Sequence, residues 1–236
     1  MTLRVLVTGG SRGIGFAIAR GLATAGHAVT VLSRSRPADP RLQHVPCDLT
    51  DAAQTNAALR AWLAAAGEGP DAFVHSACDY GATGRHAFAD GTLAEWDAAL
   101  AVNARGLYIA LQTLLPAMLR RGHGTVVGIS SDIATQPGPG RIPYAASKAA
   151  AHAILTGLAA ELVGSGIAVV ELAPRMQVDT PGIRRRRPPD FSGAGYADAD
   201  VFVAPVRWLL DGAARDHHGA CLWLAADGSV RVDHGS

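Results

Sequence analysis

Along the whole chain, short apolar runs of strand length alternate with longer stretches in which apolar residues recur at helical spacing. Leu3–Thr8 reads as a buried strand, and a glycine-rich turn leads from it into a helix over Ile14–Ala25 that Gly26 stops. Ala28–Ser33 and His44–Cys47 are the next strands, followed by a helix over Asp51–Ala66, a turn at Gly67–Pro70 and the strand Ala72–His75. Thr92 and Glu95 have capping-box spacing and open a helical stretch that continues past Asn103 to about Arg121, where Gly122 and Gly124 end it. Pro116 lies inside that stretch and predicts a kink there. Thr125–Ser130 is a further strand, Tyr144–Val163 an alanine-rich helix, Ile167–Leu172 a strand, Val201–Asp211 a short helix, and Ala220–Leu224 a final edge strand. Such alternation predicts an α/β fold, a doubly wound, mostly parallel seven-stranded sheet with helices on both faces. The irregular segment is about 175–200, which predicts a substrate loop.

Length and composition narrow the class. The 236 residues suit a single domain over 1–236, and a 49% hydrophobic content is that of a globular chain. No uninterrupted apolar run reaches the roughly 18 residues that span a bilayer, and the first residues lack a signal-peptide layout. A cytoplasmic protein with no membrane partner is expected. Cys47, Cys78 and Cys221 are scattered, with neither disulfide nor zinc spacing, so no metal is expected. A formal net charge of +1 gives no reason to expect nucleic acid. Lys148 is the sole lysine among 21 basic residues, and arginine's planar fork does not replace a compact ammonium.

The loop from Thr8 to Gly15 follows a strand and opens a helix. Gly9, Gly13 and Gly15 have the spacing of a dinucleotide loop, with Ser11, Arg12 and Ile14 between them. Glycine permits the tight turn and the close approach of backbone to a pyrophosphate, and the helix N-terminus supplies N–H donors. The second strand ends in Ser33-Arg-Ser-Arg36, without the acid that would bind a ribose 2′-hydroxyl. Arg34, with Arg12 as a second contact, suits a 2′-phosphate, so NADPH (NADP+) is the expected cofactor.

Tyr144 and Lys148 stand at i and i+4, on one face of a helix. Ionising a phenol of pKa about 10 near neutrality costs roughly 4 kcal/mol. An ammonium about 4 Å away, at an effective dielectric near 20, offsets about as much. Together, the glycine loop, the Tyr144–Lys148 pair and an upstream serine resemble the short-chain dehydrogenase/reductase family over essentially the whole chain, and the fold expected is of Rossmann type. The resemblance assigns the catalytic serine to Ser131, thirteen residues before Tyr144, and a further catalytic position to Asn103. Asp48 and Leu49 match an adenine-contacting pair. It implies reduction of a ketone or β-keto group, in which NADPH delivers hydride, Tyr144 protonates the oxygen, and Ser131 holds that oxygen. Lys148 then lowers the tyrosine pKa and binds the nicotinamide ribose, and Asn103 anchors a water in the relay.

Two segments depart from the family pattern. His75-Ser-Ala77-Cys78 stands where two asparagines, alanine and glycine are usual, so only Ala77 is kept and hydrogen bonds at the sheet centre are expected to be lost. A buried thiol and a satisfied histidine are the expectation there. Pro174 is followed by Arg175 in place of glycine and one extra residue precedes Thr180, which is still expected to reach the nicotinamide amide. Arg184–Arg187 either grips an anionic or carrier-linked substrate or is a solvated loop, the plainer reading. Two other functions compete: a non-catalytic NADP(H)-binding sensor or scaffold, supported by the altered segments, and an epimerase or dehydratase using the same residues. The resemblance also implies a homodimer or homotetramer, and small residues at Ala149, Ala153, Gly157 and Ala160 permit close helix approach.

Overall fold

The computed structural model describes residues 1–81 and 85–232. Ten strands are present there: β1 (Arg4–Thr8), β2 (Ala28–Ser33), β3 (Gln43–Pro46), β4 (Ala72–His75), β5 (Gly124–Ile129), β6 (Ile167–Pro174), β7 (Val178–Asp179), β8 (Ala197–Asp198), β9 (Cys221–Leu224) and β10 (Val230–Val232). Eight form the main sheet in the order β10-β9-β6-β5-β4-β1-β2-β3. Every pairing in it is parallel except β9 with β10. The helices are α1 (Gly13–Thr24), α2 (Ala52–Ala66), α3 (Leu93–Leu100), α4 (Gly106–Arg121), α5 (Ile142–Glu161), α6 (Pro181–Arg184) and α7 (Val203–Trp208).

Residue alternation along the strands divides the core in two. Val5 and Val7 of β1 face a cluster completed by Ile18 and Leu22 of α1 and by Phe202 and Val206 near α7. Leu6 faces the opposite side, with Phe73, Val126 and Val169, against Leu59 of α2, Leu107 and Leu114 of α4 and Leu155 of α5. Because helices cover both faces, the central strands are apolar on both sides. This is the doubly wound, Rossmann-like sheet, and its strand order reverses between β1 and β4, where such sheets open a crevice at their carboxyl ends.

The structure differs from the sequence expectations at three points. Cys221–Leu224 is not the edge: a turn closed by Ala225 N donating to Ser229 O (2.9 Å) folds β10 back as an eighth, antiparallel strand. Three residues of alternating burial were too short a signal to read as a strand. The interruption of the long helix lies at a π turn, Ala101–Arg105, while the α-helix continues through Pro116. Finally, Leu93–Arg121 is by length and composition apolar enough to span a membrane; more than half of its most apolar window is buried, as in a core helix.

Candidate active site

The carboxyl ends of β1, β4, β5 and β6 open onto a cavity of about 320 Å³. All the predicted cofactor positions line it, as do Ser131, Tyr144 and Lys148. Gly9 and Gly13 have φ of 70° and 58°, in the left-handed region. A Cβ on Gly9 would lie 2.5 Å from Ala77 Cα, and one on Gly15 would lie 2.6 Å from Gly9 O. Only glycine lets the β1–α1 loop fold this tightly against the segment after β4. Arg12, the N-cap of α1, makes no side-chain capping bond, so the first amides of a three-turn helix are not capped from within. This cradle fits the pyrophosphate of a dinucleotide.

Three guanidiniums converge at one end of the cavity. Burial, then the positive charges of Arg185 and Arg34, hold the Arg12 pKa below its usual value. The nearby Asp48 accepts at Oδ1 from Thr50 N (3.0 Å) and Thr50 Oγ1 (2.9 Å), and these bonds, led by the backbone one, together with the Arg34 charge keep its carboxyl below the ordinary carboxylate range. Ser35 Oγ donates to Ser11 Oγ (3.2 Å), tying the end of β2 to the glycine loop. A site of this charge fits a phosphate.

At the other end, α5 begins two residues earlier than the apolar pattern predicts, with a proline in its first turn, so Tyr144 and Lys148 sit in its opening two turns. Both are buried. Ser131 follows β5; its Oγ donates to Asp132 Oδ1 (2.9 Å) and reaches the Tyr144 phenol. Burial pushes the phenol well above its ordinary pKa, Cys78 and Tyr80 add to that, and Ser131 pulls in the opposite direction. Lys148 Nζ donates to Ile129 O (2.9 Å).

Asn103 does not line the cavity. It sits on the π turn behind it, fully buried, where Oδ1 accepts from Asp79 N (2.7 Å) and Nδ2 donates to Asp79 O (2.7 Å) and to Ser147 Oγ (2.8 Å). Ser147 Oγ in turn donates to Tyr144 O (2.8 Å). This side chain ties the segment after β4 to the start of α5. Asn103→Ala leaves the Asp79 amide and carbonyl unpaired and is expected to cost about 1–3 kcal/mol in urea unfolding. A loss under ~0.5 kcal/mol, the level of an ordinary surface change, contradicts this tie.

The departures at His75–Cys78 are compensated. His75 Nδ1 lies 2.9 Å from Thr8 Oγ1, which also accepts from Ala77 N (3.4 Å), so Thr8 joins the ends of β1 and β4. His75 is not the fully satisfied histidine expected, since its buried Nε2 has no hydrogen bond. Burial, then the charge of Lys148, push its pKa from 6.5 down to about 3, against a smaller opposing contact with the Asn103 backbone. Between these values the unfolded chain takes up a proton that the folded chain refuses. His75 therefore stabilises fully above about 6.5, and that stability is lost as pH falls toward 3, at up to about 1.4 kcal/mol per pH unit. His75→Asn is expected to flatten the pH dependence of urea stability in that window; an unchanged slope overturns the assignment.

A short chain dehydrogenase family model matches residues 4–189. The chain belongs to the short-chain dehydrogenase family. It is 31% identical to the 4-formylbenzenesulfonate dehydrogenase of Comamonas testosteroni, over 92% of this chain and 94% of that one. It is also 31% identical to the 2-(R)-hydroxypropyl-CoM dehydrogenase of Xanthobacter autotrophicus, over 77% of this chain and 76% of that one. Among solved structures, an actinorhodin polyketide ketoreductase determined with NADPH superimposes with a TM-score of 0.81 at 25% identity, covering 95% and 96% of the two chains. The aldohexose dehydrogenase of Thermoplasma acidophilum, at 24% identity and a TM-score of 0.83 over 100% and 97%, shares the fold.

Within this short-chain dehydrogenase the cavity contains groups that sequence reasoning missed. Cys78 reaches the Tyr144 and Tyr80 hydroxyls, and burial pushes its thiol pKa up. The Tyr80 ring lies 5.0 Å from that of Tyr144, and the Arg186 guanidinium lies 4.2 Å from the Tyr80 ring. Nothing in the spacing of Tyr80 marked it, because its contact with Tyr144 is made only when α5 and the segment after β4 are brought together.

Proposed function

We propose that the protein is an NADPH-dependent carbonyl reductase, interconverting a ketone and a secondary alcohol. The observation that carries this reading is the meeting of the Ser131 hydroxyl, the Tyr144 phenol and the Lys148 ammonium in the same cavity as the glycine loop and three arginines. The relatives named as dehydrogenases and the ketoreductase among the similar structures support alcohol–carbonyl chemistry. An NADH-bound 3-ketoacyl-(acyl-carrier-protein) reductase from Brucella melitensis is also among the similar structures, so cofactor choice rests on Arg12, Arg34 and Arg185.

Bound NADPH supplies hydride to the carbonyl carbon. Gly9, Gly13 and Gly15 would admit its pyrophosphate to the N-terminus of α1, with Ser11 and Ile14 in the same loop, and of the other residues lining the cavity Asp48 and Leu49 would hold the adenine and Ala77, Pro174 and Thr180 the nicotinamide. Ser131 turns its hydroxyl from Asp132 to the substrate oxygen, and Tyr144 donates its proton to that oxygen. Because burial keeps the phenol protonated, Tyr144 is ready as an acid near neutral pH. Lys148 and the Arg186 charge, one ring away, stabilise the phenolate left behind. Asn103 acts as a positioning residue through Ser147 and Asp79.

The test is loss of NADPH absorbance with a panel of ketones, with the alcohol product identified. Turnover supports the reading; tight NADPH binding without turnover across the panel transfers it to the sensor alternative. We also propose a homodimer or homotetramer. Ala153, Gly157 and Ala160 form an exposed strip on α5, beside a half-buried Ala149. Light scattering giving only a monomer mass refutes it.

A further inference from the structure

We infer that the cavity carries a second anion site, made by Arg186 and Arg141 beside Tyr80 and Tyr144, and that the natural carbonyl substrate bears a carboxylate or sulfonate about one ring's length from its carbonyl. This rests on the reductase reading and adds the substrate class to it. The four consecutive arginines are not equivalent. Arg184 is held outside by Asp179, with Nε donating to Oδ1 at 2.7 Å and a second, shorter bond from Nη2 to Oδ2. Arg187 donates to Tyr196 Oη (2.8 Å) and lies over the Phe191 and Tyr196 rings. Both remain exposed. Arg186 turns inward instead, half-buried, with its guanidinium on the Tyr80 ring.

Arg141 enters from the other side, three residues before Tyr144 at the N-cap of α5; its Nε is buried and has no hydrogen-bond partner. Among the described residues neither arginine makes a salt bridge. Of the acids in the cavity wall, Asp79 accepts from Gly81 N (2.6 Å) and Asp132 from Ser131 Oγ and Ile133 N (2.9 Å each), while Glu95, which lines a small adjoining pocket with Arg141, lies 3.3 Å from His86 Nε2. In all, seven cationic side chains line the cavity against three acidic ones. Removing a guanidinium from water without a counter-charge is costly, and an oxyanion that offers it two oxygens at once, as carboxylates and sulfonates do, is the partner its fork fits. Arg185 acts on both Arg12 and Arg186, but Arg186 lies over the Tyr80 ring and acts more strongly on Tyr80, Cys78 and Tyr144, the reacting end of the cavity, than on Arg185.

The test pairs 4-acetylbenzoate with its neutral counterpart 4-methylacetophenone. Calorimetric binding to the NADPH-loaded protein, and kcat/KM for each ketone, are measured on the wild type, Arg186→Gln, Arg186→Lys and, as a control, Arg184→Gln. The wild type is expected to prefer the carboxylate about 10- to 100-fold, one charge-assisted hydrogen bond's worth. Arg186→Gln should bring the ratio near one, Arg186→Lys should leave an intermediate ratio, and Arg184→Gln should keep it. Equal binding and equal turnover of the two ketones by the wild type, or an unchanged ratio in Arg186→Gln, overturns the anion site while leaving the reductase reading standing. Selective binding of 4-acetylbenzoate without turnover keeps the anion site and defeats the reductase reading.

Discussion

Tyr144→Phe is expected to lose about 10²- to 10⁴-fold in kcat for ketone reduction, the range that a positioned general acid contributes. Phenylalanine keeps the ring, and with it the 5.0 Å contact to Tyr80, but removes the O–H that Ser131 and Cys78 reach. Little else changes: Lys148 still donates to Ile129 O, and Ser147 still holds the Tyr144 backbone. Circular dichroism and NADPH affinity should therefore stay near wild type while turnover collapses. The environment of the phenol also fixes the pH behaviour. With its pKa raised well above 10, the folded phenol is protonated throughout the neutral range, so reduction should be flat in pH there. Alcohol oxidation needs the phenolate and should rise with pH, by up to about tenfold per unit below the phenol pKa. Residual reduction within about threefold of wild type in Tyr144→Phe would show that another group supplies the proton.

The sheet and most of the cavity were legible in the sequence because both rest on local rules. Apolar runs, glycine stops and the capping box at Thr92 mark elements without reference to the rest of the chain. The glycine loop and the i,i+4 pair of Tyr144 and Lys148 are likewise local, so their cavity positions followed from the strand order. What failed to show depends on distant contacts. β10 is three residues long and is a strand only because β9 offers an edge. The π turn at Ala101–Arg105 leaves the hydrophobic pattern intact, so nothing in the sequence marked it. The four arginines look identical in sequence; only Asp179, Tyr196 and Tyr80, which meet them after folding, separate the outward pair from Arg186. Thr8 is a similar case, since a strand-end threonine gives no sign that it will take over ties that the family's asparagines would make.

Arg34→Ala is expected to weaken NADPH binding about 10- to 100-fold while leaving NADH within about threefold, as removal of one charge-assisted bond to a phosphate predicts. The wild type should accordingly bind NADPH the more tightly of the two. The prediction turns on an excess of positive charge: Arg34 and Arg185 both act on Arg12, and the one acid that feels Arg34, Asp48, is hydrogen-bonded to Thr50. A 2′-phosphate adds roughly two negative charges among them, whereas the 2′-hydroxyl of NADH offers no charge and meets no acid at the end of β2. Mutual repulsion also gives the sign of a second effect. In the free protein Arg34 acts unfavourably on the Arg12 charge, so Arg34→Ala should leave the apoprotein as stable as wild type or slightly more so, with the loss appearing only when the phosphate is present. Arg12→Ala and the double variant complete the cycle, and losses smaller in the double variant than the sum of the singles are expected if both grip one phosphate. Equal affinity of the wild type for NADPH and NADH contradicts the phosphate site.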